Sequence, residues 1–344
     1  MELVGLLRKL VGFNTIRDKE NKEMLDFIEC YLKQYNFIIK RIDKCLIASN
    51  GKKPAIGFIG HTDTVDYESW DGDPFSVQKK NGKLIGLGAC DMKGAIAAML
   101  MAITKIDLSK NKIALYFTND EEINLSGIKS ISNRVLEPNI LIGEPTDNIP
   151  VCGTKGLLDL HVEFYGKKAH ASTPEKGASA IYECVDFITK LKGFYESDLM
   201  KDIDSNFKVP YTSMNIGLIS GGETENSVPG KCKITIDFRI NKESDINKII
   251  TKVEKMLEDY DAKLIVVHKI NPKLNESDIS FLEDISAKKE TANYLTEASF
   301  IDSKNIMILG PGPITAHEKN EHVTLDSLKI SEELYIKIIE FYNK

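Results

Sequence analysis

The chain has 344 residues, 28% of them charged, and a formal net charge of −6. That length is more than one hydrophobic core usually serves, so two domains are expected, and the acidic balance offers no basic surface for nucleic acid. Six cysteines (Cys30, Cys45, Cys90, Cys152, Cys184 and Cys232) occur without any Cys-x-x-Cys spacing, which argues against a zinc finger, a redox pair or a disulfide framework and predicts reduced thiols in the cytoplasm.

Leu3, Leu6, Leu7, Leu10 and Val11 recur at helical spacing among Glu2, Arg8 and Lys9, so Met1 to Phe13 reads as an amphipathic helix and not a signal peptide. A second helix is expected over Glu23 to Tyr35, then short strands over Phe37 to Ile42 and Cys45 to Ala48. Ala55 to Ile59 is apolar without alternation, as in a strand covered on both faces, and it places His61 at its carboxyl end, where open α/β sheets present their sites. Asp66 to Lys83 is irregular, anchored by Trp70 and Phe75, with Asn81-Gly82 as a hairpin signal. Lys93 to Lys105 is apolar nearly all round and predicts a buried helix. Its longest apolar run, Ala95 to Ile103, is too short to span a bilayer, so no membrane partner is expected. Lys112 to Thr118 is another buried strand and delivers Asn119-Asp120-Glu121-Glu122. Asn139 to Ile142 repeats the pattern and delivers Gly143-Glu144-Pro145-Thr146.

Past Lys155-Gly156 the texture changes. Leu158, Leu160, Val162 and Phe164 alternate with polar residues, which is a strand with one wet face. A helix (Ala178 to Lys192), strands (near Thr212 to Ile219, and Lys231 to Ile240), a helix (Ser244 to Tyr260) and a strand (Lys263 to His268) follow. That order, βαββαβ, is a ferredoxin-like split sandwich. The chain then returns through Phe281 to Lys289, Glu297 to Ile301 and the apolar Ile306 to Leu309 to a turn, Gly310-Pro311-Gly312-Pro313. His317 and a closing helix, Leu325 to Tyr342, come last.

Three strands of similar character thus end in residues able to hold a metal. An imidazole and a carboxylate at a strand tip, joined by Asp91 from the glycine-rich Gly86 to Gly94 loop, form a donor set suited to a divalent cation. Singly, each segment is ordinary. His-x-Asp after a strand is usually a surface turn, and Asp-Glu-Glu is usually a solvated loop or a helix start favoured by its dipole.

Together, Gly60-His61-Thr62-Asp63-Thr64-Val65, Gly88-x-x-Asp91-Met92-Lys93-Gly94, Asp120-Glu121-Glu122, Gly143-Glu144-Pro145-Thr146 and Gly310-Pro311-Gly312 with His317 resemble the di-zinc family of acetylornithine deacetylase, succinyl-diaminopimelate desuccinylase, aminoacylases and glutamate carboxypeptidases. The resemblance runs through almost the whole chain. It implies an α/β protein: a mixed-sheet catalytic domain (1–156 and 269–344) with an inserted ferredoxin-like lid and dimerisation domain (157–268). It implies two divalent metal ions, zinc first and cobalt or manganese as alternatives. Asp91 would bridge them, with His61 and Glu144 on one ion and Glu122 and His317 on the other. Glu121 matches the general base, Asp63 the acceptor that orients His61, and Asp91-Met92 a cis peptide. His170, in Gly166-Lys167-Lys168-Ala169-His170-Ala171, matches a histidine that reaches a neighbouring subunit's site to stabilise an oxyanion, which implies a homodimer. Arg239, Asn226 and Gly312 match substrate-binding positions. His161 and His268 match nothing, and His322 is expected at the surface.

Within the family, Thr154-Lys155-Gly156, His170-Ala171-Ser172-x-Pro174 and Thr296-Glu297-Ala298 lean toward the acetylornithine deacetylase branch. The resemblance therefore implies hydrolysis of a small N-acyl amino acid, N-acetylornithine first and succinyl-diaminopimelate or dipeptides next. A relative that binds metal or an amino acid without turnover is the alternative of another class, and the intact Glu121 argues against it.

Overall fold

The computed structural model describes residues 2–17, 19–67, 70–275, 279–282, 290–303 and 305–344. Helices α1 (Leu3–Val11) and α2 (Lys22–Lys33) lead to strands β1 (Ile38–Ile42), β2 (Cys45–Ser49) and β3 (Ile56–His61). The hairpin β4 (Gln78–Lys80) and β5 (Lys83–Ile85), helix α3 (Lys93–Ala102), strand β6 (Ile113–Thr118), helix α4 (Ser126–Ile131) and strand β7 (Asn139–Ile142) follow. Strand β8 (Val151–Thr154) runs into β9 (Gly156–Tyr165), α5 (Ala180–Phe194), β10 (Ser213–Gly221), β11 (Lys231–Ile240), α6 (Glu243–Leu257) and β12 (Ala262–Ile270). The short strands β13 (Lys273–Leu274) and β14 (Glu290–Ala292) precede β15 (Asn305–Ile308), β16 (His322–Thr324) and α7 (Leu325–Tyr342). The expectation over Phe281 to Lys289 lies, from residue 283 on, outside the described residues.

The chain forms two compact units, one of Met1–Cys152, Asn275–Glu290 and Thr296–Lys344, the other of Gly153–Leu274 and Thr291–Leu295. In the first unit a mixed sheet runs in the order β1-β2-β6-β3-β7-β15. Strands β6, β3, β7 and β15 are mutually parallel, and β1 and β2 are antiparallel at one edge. Every residue of β3 and β6 is buried, as continuous apolar runs require when helices cover both faces. Helix α3 is buried at every position but Met101. The Asn81-Gly82 hairpin forms with both residues at positive φ, 51° and 76°, the geometry a two-residue connection between twisted strands demands.

The second unit is a four-stranded antiparallel sheet ordered β10-β11-β9-β12 with α5 and α6 on one face, the ferredoxin-like arrangement. Leu158, Leu160, Val162 and Phe164 of β9 and Ile234, Ile236 and Phe238 of β11 point into its core. The unit begins at Gly153 and ends at Leu274, where Leu157 and His268 were expected, and also takes Thr291–Leu295. The flanks of the insertion pair with each other, Lys273 with Thr154 and Leu274 with Gly153, and Lys155 N–H donates to Ala292 O at 3.2 Å, so these segments pack with the second unit. Among the described residues no helix is long and apolar enough to cross a membrane.

Candidate metal centre

Strand register builds the site in the first unit. His61 lies level with Thr118 across β3 and β6, and Ile59 lies level with Ile142 across β3 and β7. Gly143 N–H continues the ladder to Ile59 O at 3.0 Å. The residues just past these three strand ends therefore emerge together: His61, Glu121 with Glu122, and Glu144.

The His61 ring is fully buried. Its Nδ1 donates to the backbone carbonyl of Asp63 at 3.0 Å, while the Asp63 carboxylate stands 3.7 Å away. Asp63 thus orients the imidazole through its main chain. Its carboxylate Oδ2 instead accepts the Glu122 backbone N–H at 3.2 Å, tying the acidic loop to the histidine strand. With Nδ1 committed as donor, Nε2 faces Asp91 Oδ1 at 2.9 Å and Glu144 Oε2 at 3.9 Å. A bare lone pair aimed at two carboxylates is repulsive, so a proton or a cation belongs between them.

Asp91 enters from the turn before α3, and the Asp91-Met92 peptide is cis. Its other oxygen lies 3.8 Å from His317 Nε2, which is also 3.0 Å from Glu122 Oε2. His317 is held at φ 63° and its side chain is half-exposed. Among the described residues, two sets of donor atoms gather within 4.8 Å of one another: His61, Asp91 and Glu122; and His61, Glu121 and Glu144. Asp91 is therefore flanked by both histidines, and Glu121 stands among the ligand candidates.

Electrostatics support a cation here. Burial lifts the Glu121 and Glu144 carboxyls well above the usual range, and neighbouring carboxylates add to this against the pull of His61. Burial opposes the His61 imidazolium, yet Asp91, Glu144 and Asp63 raise its pKa well above the ordinary value. His317 is raised chiefly by its hydrogen bond to Glu122. Burial also pushes Asp91 up, but His61 and His317 outweigh it and hold the group low. Glu144 Oε1 is buried with no hydrogen-bond partner. Crowded carboxylates, a buried orphan oxygen and imidazoles pushed upward by those carboxylates describe a pocket short of positive charge, and oxygen and imidazole donors fit divalent ions. A cavity of about 440 Å³ opens beside Glu122 and His317, lined also by Arg17, Tyr67, Trp70 and Leu87.

Sequence reasoning passed over two carboxylates. Glu297 is fully buried, and burial raises it to about 7 against the opposing influence of the Thr118 hydroxyl. Glu321 is 2% exposed, burial raises it to about 7, and it accepts three backbone N–H groups from the stretch that carries Asp91. The only signal for Glu297 was its place in Thr296-Glu297-Ala298. Glu321 had none. His322, expected at the surface, is half-buried in β16 opposite Ile85.

The second unit holds the other candidates. His170 is exposed, and its Nδ1 accepts from Ser172 N–H at 3.2 Å and lies 2.7 Å from Ser172 Oγ. That network assigns the ring proton of the neutral imidazole to Nε2, leaving it a donor. Asn226 is exposed and its carbonyl accepts from Ala171 N–H. Arg239 Nε donates to Asp237 Oδ1 at 2.9 Å, and its side chain is 36% exposed. Gly312, in the first unit, has a structural reason to be glycine, because a Cβ there would clash with the Asp147 side chain and backbone.

A doubly covered mixed sheet with imidazole and carboxylate donors converging on one edge defines the chain as a metal-dependent hydrolase. Residues 152–264 match the family model of the M20 peptidase dimerisation domain. The acetylornithine deacetylase of Myxococcus xanthus is 28% identical over 369 residues, covering 99% of this chain and 97% of that protein. Among solved structures, a Staphylococcus aureus tripeptidase superposes with a TM-score of 0.82 at 20% identity, covering 99% of this chain and 98% of its own. A dinuclear metal-binding peptidase of the M20 family from Bacillus subtilis superposes with 0.72 at 14%, covering 98% and 97%. The chain thus carries a match to the M20 peptidase dimerisation domain and is similar over nearly its whole length to acetylornithine deacetylase.

Proposed function

We propose that the protein hydrolyses the amide bond of a small N-acyl amino acid, with N-acetylornithine as the first substrate. The observation that supports the reading is the gathering of His61, Asp91, Glu122 and Glu144, with Glu121 among the same donors and His317 against Asp91 and Glu122. His61, Asp91, Glu144, Glu122 and His317 would hold two divalent ions, zinc before cobalt or manganese, which would supply Lewis-acid activation of a water and of the scissile carbonyl.

The chain's own groups do the rest. Glu121 takes the proton of the attacking water and returns it to the leaving amine. The Asp63 carbonyl keeps His61 in the tautomer whose Nε2 faces the cluster. His170 donates its Nε2–H to the developing oxyanion, supplied by a second copy of the chain in a homodimer. Arg239, through its planar fork, and Asn226 are substrate-carboxylate ligands in this reading, and Gly312 is a further substrate-binding position. The six scattered cysteines, five of them buried, support a reducing, cytoplasmic setting.

A panel of N-acetyl, N-succinyl and dipeptide substrates, assayed with zinc and with cobalt before and after chelation, tests the reading. N-acetylornithine is expected to turn over fastest, and chelation to abolish activity until metal is restored. Faster turnover of succinyl-diaminopimelate or a dipeptide moves the assignment within the family. Activity that survives complete chelation removes the two-metal reading.

A further inference from the structure

Glu321 sits four residues beyond His317, and the assignment of ligands gives it no part. Its carboxylate is nonetheless the most heavily engaged in the vicinity. Oε1 accepts the backbone N–H groups of Cys90 and Asp91, each at 2.7 Å, and Oε2 accepts that of Gly88 at 2.8 Å. The Glu321 carbonyl accepts Gly86 N–H at 3.0 Å. Four of the six residues from Gly86 to Asp91 therefore hang on one residue from the other end of the chain.

The local chain explains why. Residues 86–91 belong to no strand or helix, and Gly88 is held at φ 75°. Their N–H groups lack ladder partners and converge into a small anion-binding concavity. Leaving buried donors unmet costs about 1–3 kcal/mol each, and a single carboxylate meets three of them. Glu321 is itself fixed, because the next residue, His322, pairs with Ile85 in the β16–β5 ladder. The same two loops are joined again at Cys90, whose Sγ accepts Thr315 N–H at 3.4 Å.

We propose that Glu321 is a positioning residue for the metal centre. Its carboxylate sets the Asp91 backbone, and so aims the side chain that faces both His61 and His317, while anchoring the loop that carries His317. Ion affinity then depends on a side chain that touches neither ion. This rests on the two-metal reading above.

The test is competition with a chromogenic chelator, using zinc as the probe, on the wild type, Glu321→Gln and Glu321→Asp. Glutamine keeps the length but points an amide N–H₂ at N–H donors, and zinc affinity is expected to fall by about 10–100-fold, the usual loss when a group supporting a ligand is removed. Aspartate keeps both acceptor oxygens on a shorter arm and is expected to recover part of that loss. Unchanged zinc affinity in Glu321→Gln, whatever its melting temperature, overturns the proposal alone. A wild type that holds no zinc overturns the two-metal reading and this inference with it. Should both variants fail to fold, amide hydrogen exchange on metal-free wild type decides. Protection at Gly88, Cys90 and Asp91 supports the proposal, and exchange at the rate of an open loop overturns it.

Discussion

Glu121 and Glu122 are adjacent in sequence, yet only Glu122 has its backbone pinned by Asp63 and its carboxylate paired with His317. Glu121 has neither contact, and burial, with Glu122 and Asp91 nearby, lifts its carboxyl well above the usual range. Glu121→Gln keeps the shape and removes the proton acceptor. It is expected to lower kcat by about 10²–10⁴-fold with bound metal unchanged by elemental analysis. Retained hydrolysis sinks the assignment, and lost metal would make Glu121 a ligand. The five ligand candidates were legible because each follows a strand or glycine-rich turn of distinctive composition. Glu297 and Glu321 were not, because a lone acid in a loop looks solvated until the chain folds over it. Glu321 meets its three partners more than 200 positions away, a separation no local pattern encodes. The role of the Asp63 carbonyl was hidden for a different reason, since side-chain identity says nothing about which backbone oxygen an imidazole will meet.

At the scale of elements, the parallel strands were legible from unbroken apolar runs and the ferredoxin-like strands from their alternation, and both patterns follow from which faces are covered. The two- to four-residue strands β8, β13, β14 and β16 are too short to carry any period, and they exist because a neighbour presents a free edge. Between β6 and β7, Tyr116 OH donates to Glu137 Oε2 at 2.7 Å in a buried pair. Burial raises the Glu137 pKa above its ordinary 4.5 despite that hydrogen bond. Over the interval between those two values the native state binds more protons than the unfolded one, so stability falls as pH rises. The contribution is full below pH 4.5 and is lost as pH passes the raised value. Glu137→Gln can still accept from Tyr116 but cannot ionise. Its melting temperature relative to wild type is therefore expected to climb with pH across this window and then level off. A difference independent of pH would show that Glu137 ionises as easily in the fold as out of it.

At the scale of the molecule, each unit closes its own apolar cluster, and what the second unit leaves uncovered bears on activity. β10 is an edge strand, and Leu218 and Ile219 on it are 69% and 57% exposed. On α5, Tyr182 and Val185 are 78% and 51% exposed, and Tyr182 lines one groove with Ile181, Gly221 and Gly222, so strand end and helix form one surface. An unpaired apolar edge beside an apolar helix face is the kind of surface a protein covers with a partner. In a two-fold dimer the same patch meets itself, so one substitution is counted on both sides. Leu218→Lys places two buried cations near the seam and is expected to weaken self-association by at least about tenfold, or about 1.4 kcal/mol, read by sedimentation across a concentration series. Leu218 already faces solvent within its unit, so the melting temperature of the monomer should hold. Because His170 is assigned to the neighbouring copy's site, the monomeric variant is also expected to keep its metal and lose hydrolysis. A variant that becomes monomeric and stays fully active would return His170 to its own chain, and one that stays dimeric would move the interface elsewhere.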